Sequence, residues 1–276
     1  MSVCVAWPEH VWEGAMGWSE GLHMREFYID SDGVRLHAKL EMPKGRPGSC
    51  PLCIVQHGLT GNMEENHIVG VAAAMREVGV ATLRTELYGH GLSGGSFERH
   101  TLLKWVDNML DVIDYAKGLD FASELLMCGH SQGGLLTMLM AALRPDDLSA
   151  IIPMSPAIVI CDCARTGSMF GLAFDPAHVP DVVALEEGGP DGLVLSGDYF
   201  RIAQHIDVDE AIRAWHGPVL ITHGTADEAV PVRYSEEAAA AYENARLALL
   251  EDDDHGYHRR LDEVCEAIQV FLRDLT

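Results

Sequence analysis

From "PLCIVQHG" (51–58) onward, short unbroken apolar runs alternate with segments of helical apolar spacing, and this alternation constrains the fold more than any other feature. An apolar run of five to eight residues ending at Gly or a polar turn reads as a strand buried on both faces. "VATLRTE" (80–86), "SELLMCGHS" (123–131), "LSAIIPMSP" (148–156), "GPVLITHG" (217–224) and "RLALLED" (246–252) are further runs of this kind. Between them lie four amphipathic or apolar helical segments: "NHIVGVAAAMREVGV", "LLKWVDNMLDVIDYAKGL", "GGLLTMLMAALRP" and "SEEAAAAYENA". "RLDEVCEAIQVFLRDL" closes the chain as a helix. In the second segment Leu103, Val106, Met109, Leu110 and Ile113 are expected to form the buried face. Repeated strand–helix connections produce an α/β fold, a mostly parallel central sheet with helices on both faces. "MREFYID" and "GVRLHAKLEMP", separated by a Ser-Asp-Gly turn, predict an antiparallel hairpin ahead of it.

Regularity fails between 155 and 215, where Gly, Pro and Asp are frequent and the elements short. The chain is therefore expected to divide into a core, 1–154 with 216–276, and a small cap or lid insertion, 155–215. The first residues are irregular and are expected to pack on the surface.

The formal net charge of −23 repels phosphate backbones and anionic headgroups, which argues against nucleic acid and membrane surfaces as partners. No apolar run reaches the ~20 residues of a membrane helix, and the N-terminal residues lack a cationic signal-peptide start. The expected location is the cytoplasm, with the seven scattered cysteines as reduced thiols. Cys50-x-x-Cys53 resembles half a zinc site, but Cys161-x-Cys163 has the wrong spacing to complete it, so both pairs are read as structural.

Two Gly-x-Ser-x-Gly stretches compete for a nucleophile, Gly129–Gly133 around Ser131 and Gly91–Gly95 around Ser93. A nucleophilic serine at a sheet's carboxyl edge needs a sharp strand-to-helix turn, with small neighbours and a helix N-terminus behind it. Ser131 lies between the strand "ELLMC" and the helix "LLTMLMAAL". Ser93 is followed by "SFERH", with no helix until about Thr101, and is read as part of a flexible loop. The same loop matches Gly-x-Gly-x-x-Gly at Gly89, Gly91 and Gly94, but no helix opens there, which speaks against a dinucleotide site.

A serine hydroxyl needs a base, and the base needs an orienting carboxylate. In this topology they follow in the order acid, then histidine, each just after a strand. "VLITHGTADEAVP" presents Asp227 and "LALLEDDDHGY" presents His255. His258 falls at the start of the last helix, His223 reads as a packing or turn residue, and Asp252–Asp254 reads as a solvated acidic run. The oxyanion donors are expected to be the N–H groups of Gln132 and of Leu59, with Gly58 letting the loop turn in and His57 holding it.

Together these residues resemble the α/β-hydrolase superfamily from about Met24 to Leu275, and within it the bacterial feruloyl (cinnamoyl) esterases. The stretches that carry the resemblance are "HGLTGN", "GHGLSGG", "GHSQGG", "ARTG", "FDPAHVPD", "DYFRIAQ" and "HGTADEAVP". The resemblance implies a serine esterase acting through an acyl-enzyme on hydroxycinnamate esters such as ferulates, caffeates or chlorogenate. No cofactor or metal is needed. A small cap and often a homodimer are also implied. It places Tyr199 at the acyl pocket and suggests Asp162 as the cap acid, one residue out of step with Cys163. Met169, Phe170, Phe174 and Phe200 supply further apolar surface suited to an aryl group. Two rival readings stay open: a general short-chain carboxylesterase, lipase or acyl-peptidase with the same triad, and a non-catalytic hydrolase-like binding protein.

Overall fold

A computed structural model describes residues 24–45, 48–169, 171–184 and 194–275. The expected N-terminal surface packing and the side chain of Phe170 lie outside the described residues. The chain opens with an antiparallel hairpin, β1 (Met24–Ser31) and β2 (Val34–Glu41). Its two-residue turn, Asp32-Gly33, has φ of 43° and 73°, the left-handed pair that matches strand twist.

There follow β3 (Cys50–Gln56), α1 (Asn66–Glu77), β4 (Ala81–Thr85), α2 (Leu102–Lys117), β5 (Ala122–His130), α3 (Gln132–Leu143) and β6 (Leu148–Met154). The segment between β6 and the next sheet strand holds α4 (Val159–Thr166), the hairpin β7 (Ser168–Met169) and β8 (Leu172–Ala173), then the paired β9 (Val182–Ala184) and β10 (Val194–Ser196). It continues with α5 (Gly197–Ala203) and α6 (Val208–Ala214). The core resumes as β11 (Val219–Gly224), α7 (Arg233–Ala241), β12 (Ala245–Leu250) and α8 (Leu261–Leu275). Within 155–215, α6 packs on α3 and α7 and serves as the crossover helix into β11.

The eight-stranded sheet has the order β1-β2-β4-β3-β5-β6-β11-β12. It is parallel from β4 to β12, with β1 and β2 antiparallel at one edge. Successive side chains of a strand alternate between the faces. Leu52 and Ile54, with Leu125 and Met127, join the apolar layer under α2 and α3. Their neighbours Cys53, Val55, Leu126 and Cys128 join the layer under α1 and α8. This double burial is why the strands read as unbroken apolar runs.

The buried stripe of α2 differs from expectation: Leu102, Trp105, Asn108, Met109, Val112 and Ile113 face inward and Leu103 is 52% exposed. The helix is rotated to bring Asn108 inside. Its side chain accepts from the Tyr88 N–H at 3.0 Å and donates to Ser31 Oγ at 2.8 Å. Both are polar atoms that cannot be left unpaired in the core. No helix among the described residues is long and apolar enough to cross a membrane.

The chain runs from β3 to β4 on one side and then to β5 on the other. The carboxyl ends of β3 and β5 therefore flank a topological switch point, where a crevice opens.

Candidate active site

Ser131 follows β5 directly with φ 57° and ψ −119°, a conformation rarely open to a non-glycine residue. Its N–H donates to Met154 O at 2.9 Å and its carbonyl accepts from Ala157 at 2.9 Å and Leu135 at 3.0 Å, so backbone on both sides holds the turn. The turn is possible only because its neighbours lack side chains. A Cβ on Gly129 would lie 2.1 Å from Gly133 O, one on Gly133 2.3 Å from His57 O, and one on Gly58 2.8 Å from Ser131 Cβ.

Asp227 and His255 come from the loops after β11 and β12 and meet with His255 Nδ1 2.6 Å from Asp227 Oδ2. A carboxylate oxygen accepts, so Nδ1 carries a hydrogen, and in the tautomer that acts as a base Nε2 is the acceptor. Asp227 Oδ1 accepts from the N–H groups of Ala229 at 2.9 Å and Val230 at 2.8 Å. Burial alone would raise the Asp227 pKa. Hydrogen bonds from His223 and His255 outweigh it and hold the carboxyl well below the usual range, so it stays ionised.

His223 does more than pack. Its Nε2 lies 3.1 Å from Asp227 Oδ2 and 2.9 Å from Val230 O, while Nδ1 faces Ser235 Oγ at 2.6 Å. Two acceptors at Nε2 put a hydrogen there. The acidic run after β12 is not uniformly solvated either. Asp253 is wholly buried and accepts from the N–H groups of Asp254, Arg259 and Arg260, which shapes the loop that carries His255.

Ser131 and His255 line one cavity of about 220 Å³ together with Leu59, Val159, Ile160 and Val230, and with Cys163, Met169 and Glu228. The side chains of Ser131 and His255 share this space, with no hydrogen bond between the two. Gln132 opens α3, where the first-turn N–H groups have no partner inside the helix. Leu59 sits in the turn that Gly61 N closes on Gly58 O at 3.1 Å. His57 Nδ1 donates to Gly58 O at 2.8 Å and holds that turn, and burial lowers its pKa to about 3. A strained serine, a histidine with a free Nε2 and an ionised aspartate are the parts needed to activate a hydroxyl, and the two loop N–H groups can receive an oxyanion.

The other expected site residues are placed differently. Tyr199 is fully buried, and its hydroxyl donates to Gln132 Oε1 at 2.7 Å, so it braces the start of α3 and is not part of the cavity wall. Asp162 turns away, toward Tyr234 Oη at 2.8 Å and Arg165 at 3.3 Å, and Cys163 takes the place in the cavity. One residue of helix is a 100° rotation, which exchanges the two. Phe174 and Phe200 pack against each other at a tilt, with ring centroids 4.6 Å apart, and of the described residues in the expected aryl set only Met169 lines the cavity.

Ser93 is tied down within the structure. Its Oγ donates to Glu86 O at 2.6 Å and accepts from His37 N at 2.8 Å. Buried Glu86 in turn accepts from Leu92 N at 2.6 Å and faces His37 Nδ1 at 3.0 Å. No group of His, Cys, Asp and Glu among the described residues is arranged to hold a metal ion.

Comparison with known proteins adds relatives to this geometry. The pattern of a family described as serine aminopeptidase, S33, matches residues 49–176. The structure of Est1E from Butyrivibrio proteoclasticus with ferulic acid bound is 49% identical, covers 90% of this chain and 98% of that one, and superposes with a TM-score of 0.87. The esterase YbfF of Escherichia coli (strain K12) is 22% identical over 267 residues, 87% of this chain and 100% of its own. The human mitochondrial palmitoyl-protein thioesterase ABHD10 is 30% identical over 111 residues, 40% of this chain and 35% of its own.

Proposed function

We propose that this chain, which belongs to the α/β-hydrolase superfamily and is a serine carboxylic ester hydrolase resembling feruloyl esterases, cleaves esters of hydroxycinnamic acids through an acyl-enzyme on Ser131. The observation that carries the reading is the cavity lined by both Ser131 and His255, with Asp227 bonded to His255 behind it. Its apolar walls, and the likeness to a protein that binds ferulic acid, support an aromatic acyl group.

In this mechanism Ser131 Oγ attacks the ester carbonyl while His255 Nε2 takes its proton. Asp227 stays ionised, keeps Nδ1–H in place and stabilises the imidazolium. The carbonyl oxygen, now an anion, accepts from the N–H groups of Leu59 and Gln132. The tetrahedral intermediate collapses, the C–O bond to the alcohol breaks, and His255 protonates the leaving oxygen. Water then repeats the sequence on the acyl-enzyme and releases the acid and free Ser131. Gly58 allows the oxyanion loop to approach Ser131, Tyr199 steadies Gln132, and Cys163 and Met169 meet the acyl group. The chain works in the cytoplasm, where the free thiols of the six described cysteines are stable.

A fluorophosphonate tests the chemistry. It should add once per chain, on the peptide carrying Ser131, and not at all to a Ser131→Ala variant. A chain that takes no label, or takes it on Ser93, sinks the proposal.

A further inference from the structure

His130 stands between Gly129 and Ser131, and the chemistry above makes no use of its side chain. The residue is buried, 5% exposed. Its Nε2 lies 2.7 Å from the main-chain oxygen of His255, and its Nδ1 lies 3.0 Å from Nε2 of His67 on α1. A carbonyl oxygen only accepts, so His130 Nε2 must carry a hydrogen. Burial pushes the His130 pKa well down, so the ring is neutral and Nδ1 is bare. His67 must then donate from its own Nε2, and burial likewise keeps it neutral, with its pKa lowered to about 4. One carbonyl therefore sets the tautomers of two imidazoles.

The placement of this bond gives it a task. β5 and β12 are separated in the sheet by β6 and β11, so no ladder hydrogen bond ties the end of one to the end of the other. The loop after β12 has no regular structure around His255. Asp227 holds the His255 ring at one nitrogen, which leaves the main chain beneath it to be fixed by something else. The His130 ring spans the gap, with its centroid 4.6 Å from that of His255 and 4.2 Å from that of His67.

We infer that His130 is a positioning residue, fastening the main chain of His255 to the strand end that carries Ser131, and that His67 locks the His130 tautomer that makes the bond. The inference rests on the reading of His255 as the base.

The test uses His130→Ala, His130→Gln and His67→Ala, with His255→Ala as control. Near-UV circular dichroism normalises each to folded protein, and kcat and KM are measured on methyl ferulate. His130→Ala should lower kcat by roughly 10- to 100-fold with KM within about twofold, the size of loss that a small misplacement produces. His130→Gln, whose amide can still donate to the carbonyl, should recover much of it, and His67→Ala should fall between. Long-range proton–nitrogen spectra of the native protein should show His130 and His67 protonated at Nε2 near pH 7. A folded His130→Ala variant with native kcat, or a native His130 protonated at Nδ1, overturns the inference. If the alanine variant does not fold, recovery in His130→Gln and the native spectrum decide it. Native turnover in His255→Ala would instead remove the reading beneath it. An inactive His255→Ala beside a fully active His130→Ala would remove the positioning role alone.

Discussion

Ser131→Ala is expected to lower kcat by roughly 10⁶-fold, the scale seen when a serine hydrolase loses its nucleophile, while the protein stays folded. The hydroxyl is the only atom lost, and the strained turn is held by main-chain bonds to Met154, Leu135 and Ala157 that alanine keeps. What remains would be binding and oxyanion stabilisation, which still speed attack by water. Circular dichroism against native protein checks the fold, and hydrolysis assays at high enzyme concentration check the rate. Retention of more than a few per cent of activity would mean that Ser131 is not the nucleophile.

The second large effect is on stability in acid. His57 and His100 are neutral in the folded chain with pKa values lowered to about 3, and His67 to about 4, chiefly by burial. His90 and His130 are shifted the same way for the same reason. In the unfolded chain each returns to about 6.5. The unfolded state therefore binds more protons at any pH between those limits, so stability is full above pH 6.5 and falls as pH drops toward 3–4. From pH 7 to 5 each such imidazole costs on the order of 2 kcal/mol. His57, His100 and His67 together cost about 6 kcal/mol, against a total stability of about 5–15 kcal/mol. Glu65 opposes them, because burial raises its pKa and the folded state protonates it first, but it is one group against several. Asp227 adds to the loss only in stronger acid, since its folded pKa lies below the ordinary aspartate value. Urea unfolding at pH 7, 6 and 5 should show a midpoint that drops steeply with each step. A midpoint unchanged between pH 7 and 5 would contradict the neutral, buried imidazoles.

How much of this was legible in the sequence follows from which forces act locally. The sheet was legible because its strands are buried on both faces, and Ser131 because its turn demands glycines whose absent side chains make room for His57 O and Gly133 O. Asp227 and His255 followed from position alone, since each comes just after a strand end. The face of α2 was not legible. Its rotation is set by Asn108 reaching Tyr88 and Ser31, partners 20 and 77 residues away. Asp253 read as one of three exposed acids, because only the folded loop brings three N–H groups to it. In 155–215 the elements are too short to carry a period, so which of Asp162 and Cys163 meets the cavity depended on the angle at which α4 docks. Tyr199, expected at the acyl pocket, instead donates to Gln132 Oε1, a partner 67 residues away that no local pattern announces.

The most direct test of the account is kcat/KM for chlorogenate against 4-nitrophenyl butyrate, with Ser131→Ala as the blank. The account predicts a clear preference for chlorogenate that vanishes in the variant. A preference for the butyrate would keep the serine hydrolase and contradict the hydroxycinnamate substrate.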